Sequence, residues 1–161
     1  MPEMTLLGWF HTILGILAVL SGFYTLYKYK VISTEESSGR LYVLVTLLVA
    51  GSALGIYNQG GFGVAHILAV LTLIALSGGY IMERFKWFGS FSKYFQALGY
   101  TSTLLFHMIP AITDFLRRLP VGDPFIDSFE DPLLLNFHRA FLFIYLLGLV
   151  AQMIWLKKQV A

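Results

Sequence analysis

The sequence predicts an all-α integral membrane protein, a bundle of five transmembrane helices with the N-terminus outside and the C-terminus inside. Three observations carry this. Of 161 residues, 57% are hydrophobic and 12% charged, against about 25% charged in an average soluble domain, and the mean hydropathy is +0.73. Five stretches are long and apolar enough to cross a hydrocarbon core about 30 Å thick, which takes about 20 helical residues. The cationic residues are also unevenly divided between the two sides that those stretches define.

The spans fall at 5–27, 40–57, 63–83, 95–116 and 133–156 and make one transmembrane domain over 1–161. The first runs from Thr5 into "LSGFYTLYK". The second starts at "SSGRLY" and ends in the Gly-rich hairpin "YNQGGFG"; its Gly51 and Gly55, four apart on one face, allow a neighbouring helix to approach closely. The third, "AHILAVLTLIALSGGYIMER", resembles the first: each has a His near its outer end, then Ser-Gly, a Tyr two residues on, and a base four further. That repeat implies two similarly oriented hairpins plus a fifth helix. The fourth span holds "LLFHMIPAITDFLRRLP", where Pro110 removes the bond to the Phe106 carbonyl and predicts a kink beside His107. The fifth begins near Pro132, a residue suited to the first turn of a helix. Before it, the outer loop 117–132, "RRLPVGDPFIDSFEDP", is expected to lie as a structured loop on the membrane.

Orientation follows from charge. Lys28, Lys30, Arg40, Arg84, Lys86, Lys93, Lys157 and Lys158, eight of the eleven cations, fall on one side, and only Arg117, Arg118 and Arg139 on the other. The richer side is the inner one. Trp9, Trp155 and the "KWFGSFSK" loop with Trp87 read as interfacial anchors.

Several functions are excluded. The chain has no Cys, hence no disulfide, thiolate metal site or Fe–S cluster. A net charge of +2 leaves no nucleic-acid footprint. "MPEMTLLGWF" lacks a basic n-region and no A-x-A follows, so a secretory signal is not expected. The acidic outer loop lacks EF-hand spacing. No Walker motif, Ser-His-Asp order, H-E-x-x-H or paired carboxylates mark a reaction, and no catalytic residue is named.

The four histidines share one level. His11, His66, His107 and His138 each sit on a different span, at depths of roughly 5–14 Å below the outer boundary at 1.5 Å per residue. Ionisable groups inside a membrane are costly and face the bundle interior. Neutral imidazole is a common metal ligand, so four could hold zinc tetrahedrally or frame copper or iron. Alternatively two could ligate a haem b axially between facing helices, with Arg117, Arg118 and Arg139 at its propionates. His107 and Asp114 are seven apart on one helical face, and Thr103 continues that stripe. Asp114 and Thr103 would then support a ligating imidazole by hydrogen bonds, or Asp114 would pair with Arg118 or Arg139. The competing reading has no cofactor: the imidazoles bond to neighbouring helices or water.

Two function classes follow. One is a protein with a histidine-built haem b or transition-metal (Zn, Cu or Fe) site near the outer face, used in electron transfer or as a subunit of a larger membrane complex. The other is a cofactor-free accessory or assembly subunit whose histidines are structural. A proton-coupled carrier ranks last, because the inner half shows no intramembrane charge to complete a path. The expected partners are the lipid bilayer and other membrane subunits or further copies of the chain.

Through Gly39-Arg40-Leu41-Tyr42, a G-R-x-Y head on an early helix, and His107 to Asp114, an H-x-x-P-A-x-T-D stretch, the chain resembles small multi-span bacterial predicted-membrane-protein families of unknown function. The resemblance covers about half the chain. It implies the multi-span architecture and a bacterial inner-membrane location, and no activity. Where one such family has a His shortly before G-R-x-Y, this chain has "TEESS", so no ligand is carried over there.

Overall fold

In the computed structural model, which describes residues 5–57 and 61–160, the chain forms five helices. These are α1 (Leu6–Tyr29), α2 (Ser37–Ala53), α3 (Val64–Phe85), α4 (Ser92–Arg118) and α5 (Pro132–Val160). The structure is 80% helical, with no strand among the described residues. Each helix falls where a span is predicted. The Gly-rich turn between α2 and α3 includes residues 58–60, outside the described residues.

Local chemistry sets the ends. Thr5 caps α1 by accepting the Gly8 N–H at 3.1 Å, and Asp131 caps α5 by accepting the Leu133 N–H at 2.8 Å, with Pro132 at the first helical position. α1 and α3 both stop at a lysine in the left-handed region, Lys30 (φ 68°) and Lys86 (φ 50°), whose N–H groups bond back to Leu26 and Met82. These two lysines lie at equivalent places in the repeat. α4 emerges from a 3-10 turn at Gly89–Phe91 and runs unbroken through Pro110.

α1, α3 and α5 are long and apolar enough to cross a membrane. α2 is apolar but has only 17 residues, about 25 Å of helix. α4 is long enough, at 27 residues, but it is the most amphipathic of the five and too polar along one face to read as an apolar span. The bundle buries polar groups and exposes large apolar ones: Ile13, Ile16 and Leu20 on α1 and Leu142, Phe143 and Ile144 on α5 are all outward. Such continuous apolar surface is foreign to a water-soluble monomer, and it fits a lipid-facing exterior.

α1 packs on α2 and α3 on α4, so the chain forms two helical hairpins, with α5 seated on α4. Within each hairpin a fully buried tyrosine of the second helix lies over a glycine of the first. A Cβ on Gly22 would fall 2.7 Å from the Tyr42 ring, and one on Gly79 would fall 2.8 Å from the Tyr100 ring. Gly99 is closer still to backbone, since its Cβ would lie 2.7 Å from the Ala75 carbonyl oxygen. Gly51, expected to mediate close approach, has nothing within 4 Å because it faces outward. The central apolar cluster joins Ala18, Tyr42, Val49, Leu76, Tyr100 and Leu104. A smaller one (Leu116, Ile126, Leu134) ties the loop between α4 and α5 to the end of α4 and the start of α5, so that loop is packed in place.

Candidate functional site

The histidines meet three different sets of partners. His11 on α1 places Nδ1 3.2 Å from the Val49 carbonyl and 3.0 Å from Ser52 Oγ, both on α2. His107 on α4 places Nε2 3.1 Å from Thr46 Oγ1, one turn lower on the same helix, with its ring edge-on to Tyr42. These two imidazoles therefore lodge against one stretch of α2. His138 on α5 faces the other side of α4, with Nε2 3.3 Å from Thr113 Oγ1.

His66 does something else. It is the third residue of α3, and its Nδ1 accepts the N–H of Gly63 at 3.1 Å, closing the helix N-terminus. Its ring stacks between Tyr57 and Phe62, with centroids 4.6 Å and 5.0 Å away. An imidazole that caps its own helix is held at the head of α3, away from the α2 face that receives His11 and His107.

Arg117, Arg118 and Arg139 likewise meet separate partners. Arg117 lies over the Phe129 ring at 3.8 Å, and Arg139 donates to Asn136 at 3.1 Å. Arg118 Nε stands 3.6 Å from Asp114 Oδ1, too far for a hydrogen bond, with the Asp114 side chain 58% exposed. Thr103 bonds not to His107 but to the Tyr42 hydroxyl at 2.6 Å and the Tyr100 carbonyl at 2.7 Å.

Further toward the inner end lies a group that sequence reading passed over. Glu83, in the last turn of α3, accepts from Ser33 Oγ (2.6 Å), the Thr34 N–H (2.6 Å), Thr34 Oγ1 (3.0 Å) and the Tyr100 hydroxyl (2.7 Å). Gln96 of α4 donates to the Ile32 carbonyl at 3.0 Å, and Gln152 of α5 donates to the Lys30 carbonyl at 2.8 Å while accepting from Thr101 at 2.9 Å. Three helices thus each send one side chain to the loop that joins α1 to α2. The signal in the sequence was a lone carboxylate amid inner-side cations, opposite the hydroxyl pair of "VISTEE".

Whether these residues fit a cofactor can be tested on the geometry. Among the described residues no three of His, Asp and Glu gather around a point that could hold a metal ion. His66 stands at the head of α3, its Nδ1 in the cap and its buried Nε2 without a hydrogen-bond partner, and His138 meets Thr113 of α4. Two crevices open on the bundle, of about 370 Å³ between α1, α4 and α5 and about 310 Å³ between α3 and α4; no histidine lines either. His107, 7% exposed, is packed against Thr46 and Tyr42 of α2. The four imidazoles as placed do not converge on one metal centre.

No protein-family model, curated protein or solved structure matches the chain.

Proposed function

We propose that the protein is a cofactor-free accessory or assembly subunit of a bacterial inner-membrane complex, spanning the membrane five times with its N-terminus outside. The observation that supports it is how the imidazoles are used. His11, His107 and His138 each meet a hydroxyl or carbonyl of a neighbouring helix, at 3.0–3.3 Å. Hydrogen bonds of this kind hold helices together in lipid, where apolar burial supplies no drive for association, and each contributes about 0.6–1.7 kcal/mol. The orientation rests on the excess of inner-side Lys and Arg.

The second reading is a haem b or a transition metal used in electron transfer. What favours it is that His11 and His107 lodge on one stretch of α2, each with one nitrogen anchored, as ligating imidazoles usually are. The optical spectrum and metal content of the purified protein separate the two. A colourless protein without stoichiometric metal is expected. A Soret band that shifts on dithionite reduction and vanishes in His107→Ala overturns the cofactor-free reading.

A further inference from the structure

We propose that the polar interior between α2 and α4 carries protons across the membrane, an activity beyond the packing role just described. The face of α4 that looks into the bundle bears Gln96, Tyr100, Thr103 and His107, and Asp114 continues the same line at the exposed end of the helix. Their spacing keeps them on one side of the helix along its whole length. Three of them are matched by polar partners on other helices: His107 by Thr46 (3.1 Å), Thr103 by Tyr42 (2.6 Å) and Tyr100 by Glu83 (2.7 Å). Tyr42, Thr46, Tyr100 and Thr103 are all fully buried, at 0% exposure.

Burying hydroxyls and imidazoles in a bilayer interior is costly, and intramembrane groups of this kind mark ion and proton paths. The stripe also lies between the two hairpins, where repeat-built transporters place their ion sites. Both ends meet groups that can exchange with water. Outside are the half-buried His11, lodged one turn of α2 above His107, and the exposed Asp114. Inside is Glu83, partly exposed and ringed by the hydroxyls of Ser33 and Thr34. Glu83 is the inner intramembrane charge that a path requires.

A proton taken up by His11 passes to the His107 imidazole, then by way of the Thr46 hydroxyl to the Tyr42–Thr103 pair. Each hydroxyl accepts one proton and releases another. Tyr100 passes a proton to the Glu83 carboxylate, which releases it to the inner solution. No bond to carbon changes and nothing is oxidised; one proton leaves one side and one arrives on the other. Hydrogen bonds join His107 to Thr46, Tyr42 to Thr103 and Tyr100 to Glu83. Between these pairs, between His11 and His107, and along the Tyr100 ring from the carbonyl where Thr103 donates, a water molecule or a side-chain rotation must carry the proton, and these intervals are the slow steps.

The test uses the full chain reconstituted in liposomes loaded with pyranine, with a potassium diffusion potential set by valinomycin. Wild-type protein is expected to move protons well above the rate of protein-free liposomes. Glu83→Gln and His107→Phe should each lower that rate about tenfold, the effect of roughly 1.4 kcal/mol of added barrier. Tyr42→Phe, which removes one hydroxyl and little volume, should do the same. Tyr145→Phe, whose hydroxyl meets Ser102 away from the stripe, should conduct as wild type. Flux no greater than that of protein-free liposomes overturns the proposal, and so does wild-type flux in folded Glu83→Gln and Tyr42→Phe variants. Neither result bears on the optical spectrum, so this proposal and the cofactor-free reading fail independently.

Discussion

At the scale of single residues, glycine decides how near the helices come. A side chain on Gly99 meets the backbone of α3, which cannot swing aside as a flexible side chain can. Gly99→Ala is therefore expected to part α3 from α4 and destabilise the protein by about 1–3 kcal/mol, read as a lower midpoint of thermal unfolding in detergent. Gly51→Ala meets nothing and should leave the midpoint unchanged or raise it, since alanine favours helix by up to about 1 kcal/mol. Equal midpoints for the two variants would show that the close approach at Gly99 carries no energetic weight. The left-handed Lys86 offers the opposite test. A non-glycine residue there is strained by about 1–2 kcal/mol, so Lys86→Gly should raise the midpoint. His66 makes the same point about reading. As a histidine within an apolar run it looks like a ligand; as the third residue after Gly63 it is a helix cap.

At the scale of elements, the loop between α1 and α2 depends on the three helices that follow it. Gln152→Leu removes the bond to the Lys30 carbonyl and leaves the Thr101 hydroxyl without its acceptor. Faster hydrogen exchange over residues 30–36 is the expected result, by a few-fold for a bond worth about 1 kcal/mol in a membrane bundle. Exchange at the wild-type rate would mean that Glu83 and Gln96 hold the loop alone. The helices themselves were legible in the sequence, since apolar length and residues such as Pro132 act locally. Their ends were legible less well: the predicted second span ran to 57, whereas α2 ends at Ala53. The contacts that hold the loop between α1 and α2 were not legible. They join residues 49, 50, 64 and 122 positions apart, and no periodicity marks such pairs.

At the scale of the whole molecule, topology is open to direct measurement because the chain contains no cysteine. A single cysteine at exposed Glu35 should resist a membrane-impermeant maleimide in intact cells, whereas one at exposed Asp127 should react. The reverse pattern would invert the orientation. The same architecture explains why α4 breaks the rule of apolar spans. It touches α1, α3 and α5, so its polar face is covered by its neighbours.

Composition and span length determined, by themselves, an all-helical chain of five helices, because these are properties summed over many residues or set within one turn. Which polar groups meet was decided only by the tertiary structure. The four histidines, expected at one depth, meet partners on α2, on α4 and at the head of α3, because position along a helix follows from residue count while rotation about its axis follows from packing. Glu83 became part of the interior for the same reason: the Gly79–Gly99 approach lays α3 against α4 and brings its carboxylate to Tyr100.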